Sequence, residues 1–77
     1  MSEGKATSTT DKFAVVNANP ESIFDGETVQ TLLDRLHLLR SGVAIARNGE
    51  VLPKSQWTTT NVHEGDVLEV LAPAAGG

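Results

Sequence analysis

The chain has 77 residues, of which 39% are hydrophobic, and its ten acidic residues outnumber six basic ones to give a formal charge of -4. A chain of this length forms one small domain that buries only about 60% of the surface its unfolded form exposes, so its core must be thin. The acidic balance argues against binding to nucleic acid or to an anionic membrane, and the absence of cysteine excludes disulfides and zinc fingers.

The N-terminal segment, residues 1–11, is polar. It reads "MSEGKATSTTD", and its only apolar side chains are Met1 and Ala6. Such a segment cannot offset the entropy lost on ordering, so we predict a disordered tail. It also lacks the apolar core of a signal peptide, and no stretch of the chain approaches the roughly 20 apolar residues of a membrane span. A cytoplasmic location is therefore expected.

A β-hairpin is predicted next. The stretch "KFAVVN", from Lys12 to Asn17, is rich in β-branched and aromatic residues, stops at the turn-forming "NANP", and resumes as "ESIF" before Asp25 and Gly26.

The segment "TVQTLLDRLHLL" has a helical period instead. Thr28 is the predicted N-cap, because its hydroxyl can accept from an unpaired N–H of the first turn. Arg35 and Arg40 lie toward the other end, where cations complement the helix dipole, and Gly42 is predicted to close the helix. The apolar face follows the i, i+3, i+4, i+7 spacing and consists of Val29, Leu32, Leu33 and Leu36.

A second hairpin follows in "GVAIARNGEVLP". We predict a strand from Val43 to about Arg47, a tight turn at Asn48 and Gly49, and a short returning strand that ends at Pro53. The next stretch has too few apolar residues for a regular element. We expect only a short helical turn over residues 55–57 and a turn over residues 64–66.

The last predicted strand is "VLEVL". Its alternation places Leu68 and Val70 toward the core and Val67, Glu69 and Leu71 on the opposite face. Two interpretations remain open for the outward apolar pair: a docking patch for partner proteins, or side chains that a loop or a neighbouring side chain covers.

The predicted order is two strands, a helix, two strands and a last strand. One helix packed across a mixed sheet of about four to five strands satisfies it, which is the α+β class and the β-grasp, or ubiquitin-like, fold. The final strand is expected near the sheet centre, and pairing must end at Pro73. We therefore predict a domain over residues 12–71 and a flexible C-terminal tail over residues 72–77.

Motifs spread over residues 13–77 carry a family resemblance. They are "VVN", "DGETVQTLLDRL", "GVAIARNGEVLPKSQW", "EGDVLEV" and the terminal "GG". The combination resembles the ThiS-type sulfur carriers of thiamine biosynthesis, which are related to the small subunit of molybdopterin synthase. The "NGEVLPKSQW" segment is the most specific part. Ala18 departs from the pattern, since many relatives have glycine there.

This resemblance implies a carrier whose working group is the carboxylate of Gly77. A partner adenylating enzyme, related to those that activate ubiquitin, would use ATP to adenylate it. A sulfur donor protein such as a cysteine desulfurase would convert the adenylate to a thiocarboxylate, and thiazole synthase would take the sulfur. The chain itself would be a protein co-substrate and not an enzyme. It would bind no cofactor or metal and would be a monomer when free.

The tail composition suits that role. Gly76 and Gly77 lack a Cβ, so a partner's backbone can approach the reacting carbon closely. Alanines keep the arm narrow, and proline limits the freedom lost on docking. The predicted partner-binding residues are Val67, Leu71, Ala72, Pro73, Ala74, Ala75 and Gly76.

Other functions are also compatible with the sequence. The chain would alternatively carry sulfur for molybdopterin or cysteine synthesis, modify proteins as ubiquitin does, or act as a passive interaction domain. A hydrolase triad of Ser55, His63 and Asp66 is disfavoured, since no nucleophile motif surrounds the serine. His37 is expected at the surface and Trp57 in the core. The early acidic residues are explained by the helix dipole and by solvation better than by a metal: Asp25, Glu27 and Asp34.

Overall fold

A computed structural model describes residues 12–72 of the chain. The predicted disordered tail, residues 1–11, and most of the C-terminal tail, residues 73–77, lie outside the described residues. The elements are β1 (Lys12–Val16), β2 (Asn19–Ile23), α1 (Val29–Arg35), β3 (Ala44–Arg47), β4 (Glu50–Leu52), a 3-10 helix (Lys54–Gln56) and β5 (Val67–Leu71). This order is the one that the sequence predicts.

The five strands form one mixed sheet in the order β2-β1-β5-β3-β4. Strands β1 and β5 are parallel, and every other pair of neighbours is antiparallel. Strand β5 therefore lies at the centre, as expected. Helix α1 packs on one face of the sheet, where Leu32 and Leu33 join Ile45 and Leu68 in a single core cluster. This is the β-grasp arrangement of the α+β class.

Trp57 closes the core beneath the loop that follows β4. It is only 5% exposed, and its indole N–H donates to the carbonyl of Leu52 at 2.9 Å. A buried indole is stabilised when its N–H finds such a partner. The prediction of a core tryptophan is confirmed. The remaining buried apolar side chains are Ala14, Val16, Ile23, Val29, Leu32, Leu33, Ile45, Ala46, Val62 and Leu68.

The start of α1 is capped as predicted. The Thr28 hydroxyl accepts from the N–H of Thr31 at 3.1 Å, and the Thr31 hydroxyl accepts from the N–H of Thr28 at 3.0 Å. The next two N–H groups donate to the loop after the 3-10 helix: Val29 to the carbonyl of Thr60, and Gln30 to that of Trp57. Donors at a helix start have no partner inside the helix, so these bonds join the loop to α1.

The predicted end of α1 is wrong. The helix stops at Arg35, and the left-handed residue that closes it is His37, with φ of 61°, whereas Gly42, with φ of 86°, lies farther along the chain. His37 and Leu38 donate to the carbonyls of Asp34 and Leu33 at 3.0 and 2.9 Å, as in a Schellman motif. Leu38 packs against the core cluster, and this contact turns the chain before Arg40. Gly42 belongs to a later turn, and Arg40 lies outside the helix.

The first hairpin turn is tighter than the predicted "NANP" turn. It consists of Asn17 and Ala18 alone, both with positive φ, of 49° and 71°. Pro20 therefore lies within β2, where it pairs with Val15. Proline is tolerated there because β2 is an edge strand. The second hairpin follows the prediction, with Asn48 and Gly49 in its turn at φ of 52° and 88°.

Replacing Ala18 with glycine should stabilise the domain. An L-residue in the left-handed region costs about 1–2 kcal/mol, and glycine removes this cost. Glycine also loses more conformational entropy on folding, so we expect the free energy of unfolding to rise by only about 0.5–1 kcal/mol. Urea unfolding of Ala18→Gly measures the change. The control is Ala44→Gly, an exposed β3 position without positive φ. It should instead lose about 0.5–1 kcal/mol. Two changes of the same sign would contradict the prediction.

Candidate functional site

The C-terminal tail follows β5, so the candidate site is built on that strand. On one side β5 pairs with β3, from Arg47 opposite Leu68 to Ala44 opposite Leu71. On the other side it pairs with β1 over two positions only, because β1 ends at Val16. Its last pairing partner, Ala44, therefore lies on the β3 side.

Asn17 extends the bonding of β5 beyond the end of β1. Its backbone N–H donates to the carbonyl of Leu68 at 3.0 Å, and its side-chain carbonyl accepts from the N–H of Val70 at 2.9 Å. The strand that leads into the tail is thus bonded on both sides almost to its end. The base of the tail is therefore held in the sheet by hydrogen bonds on both sides.

Asp66 organises the start of β5. The residue is 7% exposed, and its carboxylate accepts from the backbone N–H of His63 at 2.8 Å, from the Asn48 amide at 3.1 Å and from Arg47 Nε at 3.2 Å. Asn48 in turn bonds both backbone groups of Val67, at 2.7 and 2.9 Å. The second hairpin turn is thereby fixed to β5.

These contacts lower the pKa of Asp66. Burial raises the pKa of this carboxyl, but the hydrogen bonds from His63 and Asn48 and the nearby Arg47 outweigh it. The carboxylate binds the backbone of His63 and not its ring, and no hydrogen bond joins Ser55 to either residue in the described range. The structure thus gives a structural role to the one residue of the discounted triad that is buried.

Stability should fall in acid because of Asp66. Its pKa is lower in the folded than in the unfolded chain, so its contribution is complete above the ordinary carboxyl pKa of about 4 and is lost as the pH falls through the folded-state pKa. Asp66→Asn should lose about 1–3 kcal/mol at neutral pH. In this variant the free energy of unfolding, measured with urea, should also fall less steeply below about pH 4 than in the wild type.

The control for Asp66 is Asp34→Asn. Asp34 is exposed, and its carboxylate has no hydrogen-bond partner among residues 12–72. This variant should keep the wild-type profile. An acid decline of unchanged size in Asp66→Asn would show that other groups cause it.

The outward face of β5 is open in the described structure. Val67 and Leu71 are 43% and 50% exposed, whereas Leu68 is fully buried and Val70 packs against the core. The predicted alternation is confirmed. Within residues 12–72 no loop covers the outward pair.

Two further residues enlarge this apolar surface. Phe13 and Val51 are 49% and 71% exposed. The strand register puts them on the same side of the sheet as Val67 and Leu71, because Val15 pairs with Val67, and Ala46 pairs with both Val51 and Glu69. We call Phe13, Val51, Val67 and Leu71 the outer face. The alternation around the buried Ala14 and the half-buried Leu52 was the sequence signal for the added pair.

The two acidic residues just before α1, Asp25 and Glu27, form ion pairs. Asp25 pairs with Lys12 at 2.5 Å, and the Glu27 side chain, 4% exposed, pairs with Arg35 at 3.0 Å. Among the described residues there is no group of three or more possible metal ligands, and no helix is long and apolar enough to cross a bilayer. His37 is exposed, as expected.

The structure places three of the predicted partner-binding residues: Val67, Leu71 and the exposed Ala72. Pro73, Ala74, Ala75, Gly76 and the predicted working residue Gly77 lie outside the described residues. The site is therefore defined by its base, which is a central strand with an exposed apolar side.

Comparisons with known proteins agree with this geometry. The model of the ThiS family matches residues 14–77. The chain is 36% identical over 52 residues to the sulfur carrier protein ThiS of Escherichia coli (strain K12), covering 68% of this chain and 79% of that protein.

A longer relative is also matched. The chain is 36% identical over 63 residues to a thiazole synthase of Paramagnetospirillum magneticum, which covers 82% of this chain but only 19% of that protein. Among solved structures, the crystal structure of a thiamine biosynthesis protein (ThiS) from Geobacter metallireducens is similar, with a TM-score of 0.70 and 33% identity. The match covers 84% of this chain and 99% of that one.

Proposed function

The chain belongs to the ThiS family, and on that premise we propose that it carries sulfur for thiazole formation in thiamine biosynthesis as a thiocarboxylate on Gly77. One observation carries the proposal: the family match continues through the tail to the terminal Gly-Gly. The hydrogen-bonded strand before the tail also supports the proposal. A partner that binds the folded domain would find the start of the tail at a fixed position.

The proposed chemistry divides between this chain and its partners. A carboxylate is a poor electrophile, so an adenylating enzyme joins a Gly77 oxygen to the α-phosphorus of ATP and releases pyrophosphate. The terminal sulfur of a persulfide on a donor protein, such as a cysteine desulfurase, then attacks the acyl carbon and displaces AMP. A thiol outside this chain attacks the resulting acyl disulfide, which leaves the thiocarboxylate on Gly77 and a disulfide between that thiol and the donor. The chain contributes a narrow arm and no catalytic side chain, so we propose that it is a co-substrate and binds no cofactor of its own.

Thiazole synthase is the proposed acceptor of the sulfur. Support comes from the longer relative, in which a segment similar to this chain is part of a protein named thiazole synthase. A carrier domain and its acceptor joined in one polypeptide meet at high effective concentration. The outer face, which is apolar and exposed, is the proposed docking surface for the partner enzymes.

The test is the mass of the intact protein. The chain is co-expressed with a ThiS-adenylating enzyme and a sulfur donor, and we expect an increase equal to the difference between a sulfur and an oxygen atom. Only unmodified protein would count against the carrier. High-mass conjugates that require Gly77 would instead identify a protein modifier. Rescue of a carrier-deletion strain by thiamine alone would establish the pathway, and rescue by another product would refute it.

Charge placed on the outer face should impair activation. Val67→Asp and Leu71→Asp add a carboxylate to an exposed apolar side chain, so they should weaken adenylation at least about tenfold, as expected for loss of an interface contact. ATP–pyrophosphate exchange measures the effect. The control is Phe24→Asp, which alters an exposed apolar residue outside the sheet. Equal rates in all three variants would exclude the outer face as the docking surface.

A further inference from the structure

The basic residues between positions 12 and 72 fall into two groups. Three of the five form a salt bridge with a carboxylate: Lys12 with Asp25, Arg35 with Glu27, and Arg47 with Asp66. The other two, Arg40 and Lys54, are exposed and form no salt bridge within the described range. These two cations line the same part of the surface, although the chain as a whole carries a charge of -4.

Arg40 and Lys54 line a shallow groove of about 350 Å³. The groove lies between the segment that follows α1 and the 3-10 helix, and its apolar lining comes from Leu39 and Trp57. The Lys54 ammonium is 6.0 Å from the centre of the Trp57 ring. Ser41 adds a hydroxyl to the same lining. The groove thus combines two positive charges with the half-buried side chain of Leu39 and a small exposed part of Trp57.

The groove is at the end of the sheet from which the tail departs. Leu71 pairs with Ala44, the first residue of β3, and Arg40 is four residues before it. Lys54 is two residues after Leu52, and Leu52 pairs with Ile45 at the same end of β3. The groove and the base of the tail thus lie at the same end of the sheet.

We propose that the groove receives an acidic segment of the adenylating enzyme, with a carboxylate between Arg40 and Lys54 and an apolar neighbour against Leu39 and Trp57. The partner assignment rests on the proposed function. Charge complementarity favours an acidic occupant, because the two cations attract an acidic segment and repel a basic one. The rest of the chain has a net negative charge and would repel the same acidic segment.

Binding of the full chain to a purified ThiS-adenylating enzyme tests the proposal. Arg40→Gln and Lys54→Gln should each weaken the Kd about tenfold, and the double variant should also reduce its salt dependence. The matched control is Lys12→Gln, which removes the same charge from the opposite end of the sheet and breaks only an exposed ion pair. Wild-type affinity in the double variant would overturn the proposal. If the wild-type chain is not adenylated, the proposed function fails instead.

A second measurement tests the groove independently of any enzyme. A short synthetic peptide that alternates glutamate with leucine is titrated into the isotope-labelled full chain, and amide shifts are recorded by NMR. We expect shifts at residues 39–41, at Lys54 and at the Trp57 indole, all absent with the glutamine version of the peptide. Shifts spread over the outer face, or none at all, would overturn the proposal. The amide spectrum of each variant also reports whether it is folded.

Discussion

Removal of Gly77 is expected to abolish sulfur loading while leaving the domain folded. Deletion moves the terminal carboxylate back by one residue, about 3.3–3.6 Å of extended chain. A displacement of only about 1 Å from a reacting position can cost a factor of about 100 in rate, so loading should fall below detection. Intact mass after co-expression with the adenylating enzyme and sulfur donor measures it.

Gly77→Ala is the control for length. It restores the position of the carboxylate and adds one methyl group, so its loading should exceed that of the deletion and remain below the wild type. All three proteins should unfold at the same urea concentration, because the tail follows the last strand of the sheet. Full loading of the truncated chain would show that Gly77 is not the working residue.

Leu68→Ala should have the largest effect on stability. Leu68 is fully buried in the core cluster, on the central strand. Truncation of such a leucine costs about 2–5 kcal/mol, since it removes apolar contacts and leaves a cavity. A domain of 77 residues has a total stability of only about 4–12 kcal/mol. The variant should therefore be partly unfolded near physiological temperature, as measured by thermal and urea unfolding.

Leu71→Ala is the matched control on the same strand. The chemical change is the same, but Leu71 is 50% exposed and faces outward. It should cost less than about 1 kcal/mol. The two variants thus separate the two sides of β5. Equal loss of stability in both would contradict the assignment of the outer face as solvent-exposed.

Much of the fold was predictable from the sequence because each element carries a local signal. The Asn48–Gly49 turn, the Thr28 cap and the alternation in "VLEVL" depend on residues close together in the chain. The end of α1 was not predictable in this way. Gly42 was the better local candidate, but contact between Leu38 and the core ends the helix earlier, and that contact depends on the tertiary structure.

Only part of the candidate site was predictable from the sequence. The pattern of β5 identified Val67 and Leu71, whereas the outer face also includes residues from two other strands that only the sheet register brings together. The linking role of Asp66 depends on partners from the second hairpin turn, so it too required the folded chain. The groove of Arg40 and Lys54 has no motif, because its residues come from two separate segments.

The parallel pairing of β1 with β5 affects the stage of synthesis at which the sheet before the tail can form. Val15 and Val67 are partners in the sheet although they lie near opposite ends of the described range. Pairing over so long a separation is a slow step in folding, because loop-closure entropy is lost before the contact is formed. Ribosomal synthesis must therefore proceed past β5 before the sheet can form. A partner that docks on the proposed outer face would then meet the tail only on a chain whose sheet is complete.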